Sequence, residues 1–245
     1  MAYRFATEKE DFSDFASGQV FYSAAGRPAF PVRLASEIFQ RSLAFLEKPA
    51  PISLYDPCCG SAYHLAVLGM RHRAQLTNIA ASDIDPVAIE LATRNLSLLT
   101  PDGLARRRQE IAADWHKFGK PSHQAALSSV DRLVARVANT SPLPTHCFVA
   151  DATNLGSISA PLPQLVDLVI SDLPYGQLSA WQGAAQNNRP IWHLLDHLRP
   201  MLHEQNVVAL ATPKGAAVAH EHYERIGRFR HGKRLITFLD RKSVV

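Results

Sequence analysis

An α/β domain with a mostly parallel sheet is predicted by three observations. Short apolar runs suited to buried strands alternate with segments of helical periodicity. Four of these runs lead into an aspartate: Asp56, Asp83, Asp151 and Asp172. Towards the end, runs at 225–230 and 234–240 flank His231-Gly232-Lys233, which predicts an antiparallel hairpin closing the sheet. The chain has 245 residues, 47% of them hydrophobic, enough for one such core with additions.

Residues 1–30 mix charges with Phe12, Phe15, Phe21 and Tyr22, and contain Gly18, Gly26 and Pro28. They read as an irregular arm with one short strand near 19–22. Pro31 starts a helix over 31–48, in which Val32, Ala35, Ile38, Phe39, Leu43 and Leu46 recur at helical spacing. Residues 1–48 are therefore expected to pack, as an extension and a helix, on a core domain of 49–245. Within that domain 52–55 suits a buried strand, ended by Asp56-Pro57 because Pro57 has no amide proton for a ladder. A small-residue turn, Gly60-Ser61-Ala62, and an apolar helix over 64–70 follow.

The next strand is expected at 78–82. Asp85 then stands where a helix cap is needed, Pro86 at the first helical position, and Ala88, Leu91, Ala92, Leu96 and Leu99 on one side. Residues 100–145 break the rhythm with two helices, 104–115 and 124–137, too long together to be a connector. The remaining strands are expected at 146–150, 165–171 and 206–211, with a polar loop over 177–189 and a helix over 190–202 before the last of these. Trp181 in that loop suits either a stacking lid or simple packing.

The formal net charge is +4 and the pI about 9.1, a mild lean towards an anionic partner. Cys58 and Cys59 are adjacent and Cys147 is distant, so neither a disulfide framework nor a paired metal motif is expected. The first residues carry no apolar signal core, and no run approaches 18 apolar residues. These features predict a soluble, reduced, cytoplasmic protein with no membrane partner and no metal.

A strand running through a tight turn into a helix brings backbone N–H groups close to a ligand. The pattern Asp56-x-x-x-Gly60-x-Ala62 is close to the loop that opens S-adenosylmethionine (SAM) methyltransferase domains; a plain turn and a dinucleotide loop are the alternatives. The downstream acids favour the first. Asp83 stands where a carboxylate holds a ribose diol, and Asp151 can accept from an adenine amino group. Asp172-Leu173-Pro174-Tyr175 then supplies what a base nitrogen needs to attack a methyl sulfonium. Asp172 offers a carboxylate and the Leu173 backbone a carbonyl. Pro174 stiffens the turn, and Tyr175 offers a ring for base stacking, worth about 1–3 kcal/mol. Arg33 near the start, with Arg106, Arg107 and Arg108 in the first inserted helix and Lys117 and Lys120 in the segment joining the pair, could neutralise RNA phosphates; a solvated surface is the alternative for each.

The sequence resembles the avilamycin-resistance 23S rRNA guanine methyltransferases, the AviRa-like family, over nearly its whole length. The resemblance rests on Ser23-Ala-Ala-Gly-Arg-Pro-Ala-Phe-Pro-Val-Arg-Leu-Ala35 with Glu37-Ile-Phe-Gln-Arg41, on Asp56-Pro-Cys-Cys-Gly-Ser61, and on Ala81-Ser-Asp-Ile-Asp-Pro86. Phe118-Gly-Lys-Pro-Ser122 and Asp172-Leu-Pro-Tyr-Gly176 complete it. It implies a Rossmann-like SAM methyltransferase sheet and SAM-dependent methylation of a guanine, at ring N1, in 23S rRNA or the large ribosomal subunit, by a monomer. It also implies resistance to orthosomycin antibiotics. Cofactor contacts are implied at Asp56, Cys58, Gly60, Asp83, Ile84, Asp151, Ala152 and Asp172, and the target-base site at Asp172, Pro174 and Tyr175. One departure stands out: Ala62 occupies a position where similar sequences have glycine, and its methyl group is expected to crowd the cofactor slightly. Methylation of another RNA base, of a protein glutamine or of a small amine, and a non-catalytic RNA-binding role, are the competing readings.

Overall fold

The computed structural model describes residues 3–16, 18–23, 30–159, 161–162, 164–174, 180–183 and 188–242. Among these, seven strands form one sheet: β1 (Ile52–Asp56), β2 (Leu76–Asp83), β3 (Thr145–Val149), β4 (Val166–Asp172), β5 (Leu202–Pro213), β6 (Tyr223–His231) and β7 (Arg234–Arg241). Their order is β3-β2-β1-β4-β5-β7-β6. Neighbours among β1 to β5 pair parallel, and β7 runs antiparallel to both β5 and β6. The expected mixed sheet with a closing hairpin is therefore present, and the order reverses between β1 and β4. Ligands of open α/β sheets bind at the carboxyl edge near such a switch point.

Alternation along the central strands explains why both faces are covered. Leu54, Leu168, Ile170, Val207 and Ala209 enter one buried cluster, while Tyr55, Val169, Val208 and Leu210 enter another on the opposite face. Helices α1 (Val32–Phe45), α2 (Tyr63–Arg71) and α3 (Pro86–Ser97) pack over the first face. Helices α6 (Leu155–Ser159) and α7 (Pro190–Leu198) cover the second. The inserted pair α4 (Pro101–Phe118) and α5 (Pro121–Val137) extends the first layer by packing α4 against α3.

Several boundaries differ from the sequence expectation, each for a local reason. No strand forms at 19–22: residues 18–20 make a turn with Gly18 at φ +83°, and only Phe21 forms an isolated bridge. Helix α1 stops at Phe45, ahead of Pro49 and Pro51, where Leu46 is already extended. α4 starts earlier than the apolar pattern suggests, because the Thr100 hydroxyl accepts from Gly103 N (3.0 Å) with Pro101 at the first position, and it ends on left-handed Gly119. α5 likewise begins at Pro121. The helix expected over 190–202 ends at Leu198 in a 3-10 turn containing Pro200. β5 then begins at Leu202, with its register against β4 shifting between Leu202 and Val207.

The N-terminal arm is an integral part of the core. Phe15, Val20 and Phe21 are buried, and the Tyr63 hydroxyl donates to the Phe15 carbonyl. Its first residues are held by Glu37 of α1, which is fully buried. Glu37 accepts from the backbone amides of Arg4 (2.7 Å), Phe5 (2.9 Å) and Ala6 (2.8 Å), and from Arg41 Nε (2.7 Å).

Candidate functional site at the carboxyl edge

The loop after β1 is built on its own aspartate. Asp56 is fully buried; its Oδ1 accepts from Cys58 N (2.9 Å), and its Oδ2 lies 3.1 Å from His64 Nε2 at the start of α2. Burial alone would lower the His64 pKa. Asp56, Asp172 and the Ile170 carbonyl outweigh it and hold the imidazole above its ordinary value, favouring the cation. Gly60 adopts φ +54° with nothing within 4 Å of where a Cβ would sit, so open space faces its backbone. Its N–H donates to Asp83 Oδ2 (2.9 Å). Ala62 is also left-handed, at φ 50°, the conformation glycine adopts more cheaply.

Asp83 ends β2 and takes Asp85 N on its other oxygen (3.0 Å), while Asp85 caps α3 by accepting from Val87 N (2.9 Å). The helix-cap expectation for Asp85 is thus met. Asp151, just beyond β3, accepts from Thr153 N (2.8 Å) and Thr153 Oγ1 (2.6 Å), and Gly183 lies against its carboxylate: a Cβ there would stand 2.2 Å from Oδ2. Ala152 is buried and Ile84 half-buried beside these acids.

Asp172, the last residue of β4, is forked by Arg234 of β7, with Nε 3.2 Å from Oδ1 and Nη2 3.0 Å from Oδ2. Burial raises the Asp172 pKa, and Arg234 and His64 oppose that rise without cancelling it. Leu173 N donates to the Ala211 carbonyl (3.0 Å), which fixes the turn that Pro174 continues. Tyr175 lies outside the described residues. The guanidinium of Arg234 also sits over the Phe30 ring, 5.2 Å from its centroid, and Phe30 neighbours His64.

One side chain reports that these strand ends face a common space. The Cys58 thiol is pushed well above the ordinary thiol value, first by burial and then by the carboxylates of Asp56, Asp83 and Asp151, with the Ser171 hydroxyl in reach. Asp172, next to Ser171, is coupled to Asp56 and His64. A separate cavity of about 620 Å³ opens at the opposite edge of the sheet, between Lys48, Asn78, His146, Asp167 and His203, and touches none of the four acids. Among the described residues no cluster of His, Cys, Asp or Glu could hold a metal ion, and no helix is long and apolar enough to cross a membrane.

Sequence reasoning passed over His64, Arg234 and Asn95. His64 looked like the first residue of an apolar helix, and Arg234 like one cation among several in a hairpin. Buried Asn95 donates to the carbonyls of Tyr22 (3.0 Å) and Ser61 (2.9 Å), tying the arm to the loop, which no local pattern reveals. Trp181, like Cys58 and Ile191, is partly buried and packs against the second buried cluster.

The six cations expected to meet RNA fall into two groups. Arg33 donates to the carbonyls of Ala6 (2.8 Å) and Thr7 (2.9 Å). Arg107 donates to those of Gln19 (2.7 Å) and Val20 (2.8 Å) and pairs with Glu110, while Arg108 pairs with Asp131 (2.7 Å). These three are engaged within the chain, Arg33 and Arg107 by backbone carbonyls and Arg108 by an exposed ion pair. Arg106, Lys117 and Lys120 are exposed, the two lysines flanking the Phe118 ring.

The family model described as rRNA methyltransferase AviRa matches residues 1–234. The chain belongs to this family. A 23S rRNA (guanine(2535)-N(1))-methyltransferase from Streptomyces viridochromogenes is 46% identical over 211 residues, covering 85% of this chain and 84% of that protein. A solved structure of the rRNA methyltransferase AviRa from the same organism superposes with a TM-score of 0.88 at 42% identity, over 98% of this chain and 96% of that one. TrmN from Thermus thermophilus matches with a TM-score of 0.54 at 15% identity, over 89% of this chain and 51% of that one, a likeness of fold alone. As an AviRa family member the protein is an rRNA methyltransferase enzyme with the class I SAM methyltransferase fold.

Proposed function

We propose that the protein transfers a methyl group from SAM to N1 of a guanine in 23S rRNA. The observation that carries this reading is that the neighbouring strands β3, β2, β1 and β4 bring Asp151, Asp83, Asp56 and Asp172 to one carboxyl edge, where the N–H of Gly60 in the loop after Asp56 donates to Asp83 (2.9 Å). The donor set suits a cationic nucleoside. Asp83 at the end of β2 stands where a carboxylate holds a ribose diol; Asp151 can accept from an adenine amino group. The open space before Gly60, flanked by Cys58 and Asp56, admits the amino-acid part, with Ile84 and Ala152 lining the adenosine. Bound there, SAM supplies an already activated methyl, so the chain needs no metal to make a leaving group.

Asp172 is the group that acts on the base. Its burial makes it a stronger base than an exposed carboxylate, while Arg234 and His64 keep it ionised and aimed. It would take up the N1 proton of guanine while N1 forms its bond to the methyl carbon and the sulfonium sulfur leaves with the electron pair of the broken C–S bond. The Leu173 carbonyl fixes the base edge, Pro174 holds the turn, and Tyr175 stacks on the ring. Arg106, Lys117 and Lys120 remain available for phosphates, and a modified guanine in the large subunit would confer the orthosomycin resistance that the family resemblance implies.

The test pairs calorimetry with transfer of labelled methyl to deproteinised 23S rRNA. Asp172→Ala is expected to keep SAM affinity within a few-fold and to lose about 10²–10⁴ in turnover. Unchanged turnover overturns the role of Asp172, and transfer to peptides or amines in place of rRNA overturns the substrate.

A further inference from the structure

The closing hairpin and the end of β5 carry cations that the fold does not use. Lys214, Arg228, Arg230 and Lys233 are exposed, and among the described residues none of them makes an ion pair or a side-chain hydrogen bond. This sets them apart from three arginines of α4 and α5: Arg107, Arg108 and Arg132 are each paired with an acid, the last with Asp14.

Strand register brings the four to the level of the site. Asp172 lies opposite Ala211 on β5, Ala211 opposite Ile236 on β7, and Ile236 opposite Phe229 on β6. Arg228 and Arg230 are thus one rung either side of the Asp172 rung, on the outermost strand. Phe229 between them is buried, so the two arginines share the opposite face of the strand. Lys214 follows the last residue of β5, and Lys233 is in the turn immediately before Arg234, which grips Asp172. Lys214 and Lys233 therefore stand at the carboxyl edge near Arg234. Arg228 and Arg230 continue from them along the outermost strand, the third from Asp172, and on the sheet face opposite its side chain. Among the described residues no carboxylate neutralises any of the four.

We propose that Lys214, Arg228, Arg230 and Lys233 form a phosphate track, on which the backbone of the RNA substrate lies while its target base reaches Asp172. The proposal rests on the reading of the site as an rRNA-base methyltransferase. Phosphates contribute by releasing condensed counterions, so such a track has a salt signature.

The test is equilibrium binding of a deproteinised 23S rRNA transcript across a potassium chloride series, using wild type and the variant Lys214→Gln/Arg228→Gln/Arg230→Gln/Lys233→Gln. Four lost contacts are expected to flatten the slope of log affinity against log salt by about 3–4 and to weaken binding about 10³-fold at 0.15 M salt. Arg230→Gln alone is expected to flatten it by about 1. SAM affinity and melting temperature, which exposed side chains do not govern, serve as the folding control. A fourfold variant with the wild-type slope overturns the proposal. So does one that binds naked RNA normally and fails only on the assembled subunit, since the surface then meets a ribosomal protein. If wild type neither binds nor methylates 23S rRNA, the underlying functional reading fails instead.

Discussion

Replacing Glu37 by alanine removes one carboxylate that holds four donors at once. Three are backbone amides of residues 4–6 and the fourth is Arg41, all within 2.9 Å of a fully buried side chain. Deleting one partner of a buried charged network costs about 3–5 kcal/mol, because the remaining groups lose their bonds without returning fully to water. Arg41 keeps its place over the Phe229 ring and is one-fifth exposed, which favours the lower end. In urea this corresponds to a midpoint lower by roughly 1–2 M. Residues 3–10 should at the same time become open to limited proteolysis. Acidity gives a second handle. Burial alone would raise the Glu37 pKa, but the three amides and Arg41 overcome it and hold it below the ordinary 4.5. Its contribution is therefore complete above pH about 4.5 and is lost as pH falls through the depressed folded value. The alanine variant should lack that loss. A loss of less than about 1 kcal/mol, with the arm still protected, refutes the account.

Arg234→Gln removes the cation that opposes the burial of Asp172. The folded pKa of Asp172 then rises further, so the acid limb of kcat/KM for methyl transfer moves towards neutral pH. Arg234→Lys should move it less, and an acid limb unchanged in both variants rules out this coupling. For Ala62→Gly the effects nearly cancel. Relief of the left-handed backbone returns about 1–2 kcal/mol, while the lost buried methyl costs about 0.8 kcal/mol and the looser unfolded chain about 0.4–1 kcal/mol. Urea denaturation should find the variant within about 1 kcal/mol of wild type. A change beyond 2 kcal/mol in either direction would show that the positive φ of residue 62 is not the deciding feature.

The sequence by itself determined the strands, the acids that follow four of them, the cap at Asp85 and the closing hairpin. Each of these is written in neighbouring residues: apolar runs stop at Asp-Pro or Asp-Leu-Pro, and a side chain caps its own helix two residues on. The tertiary structure alone decided which charges are free. Arg107 and Arg108 look alike in a run of three arginines, yet one is spent on the carbonyls of Gln19 and Val20 and the other on Asp131, while Arg228 and Arg230 on the outermost strand meet no acid among the described residues. The same holds for Arg234 on Asp172 and Asn95 on Ser61, pairs 62 and 34 residues apart. Periodicity fixes which face a residue occupies, but whether its charge is neutralised depends on groups brought close only by the folded chain.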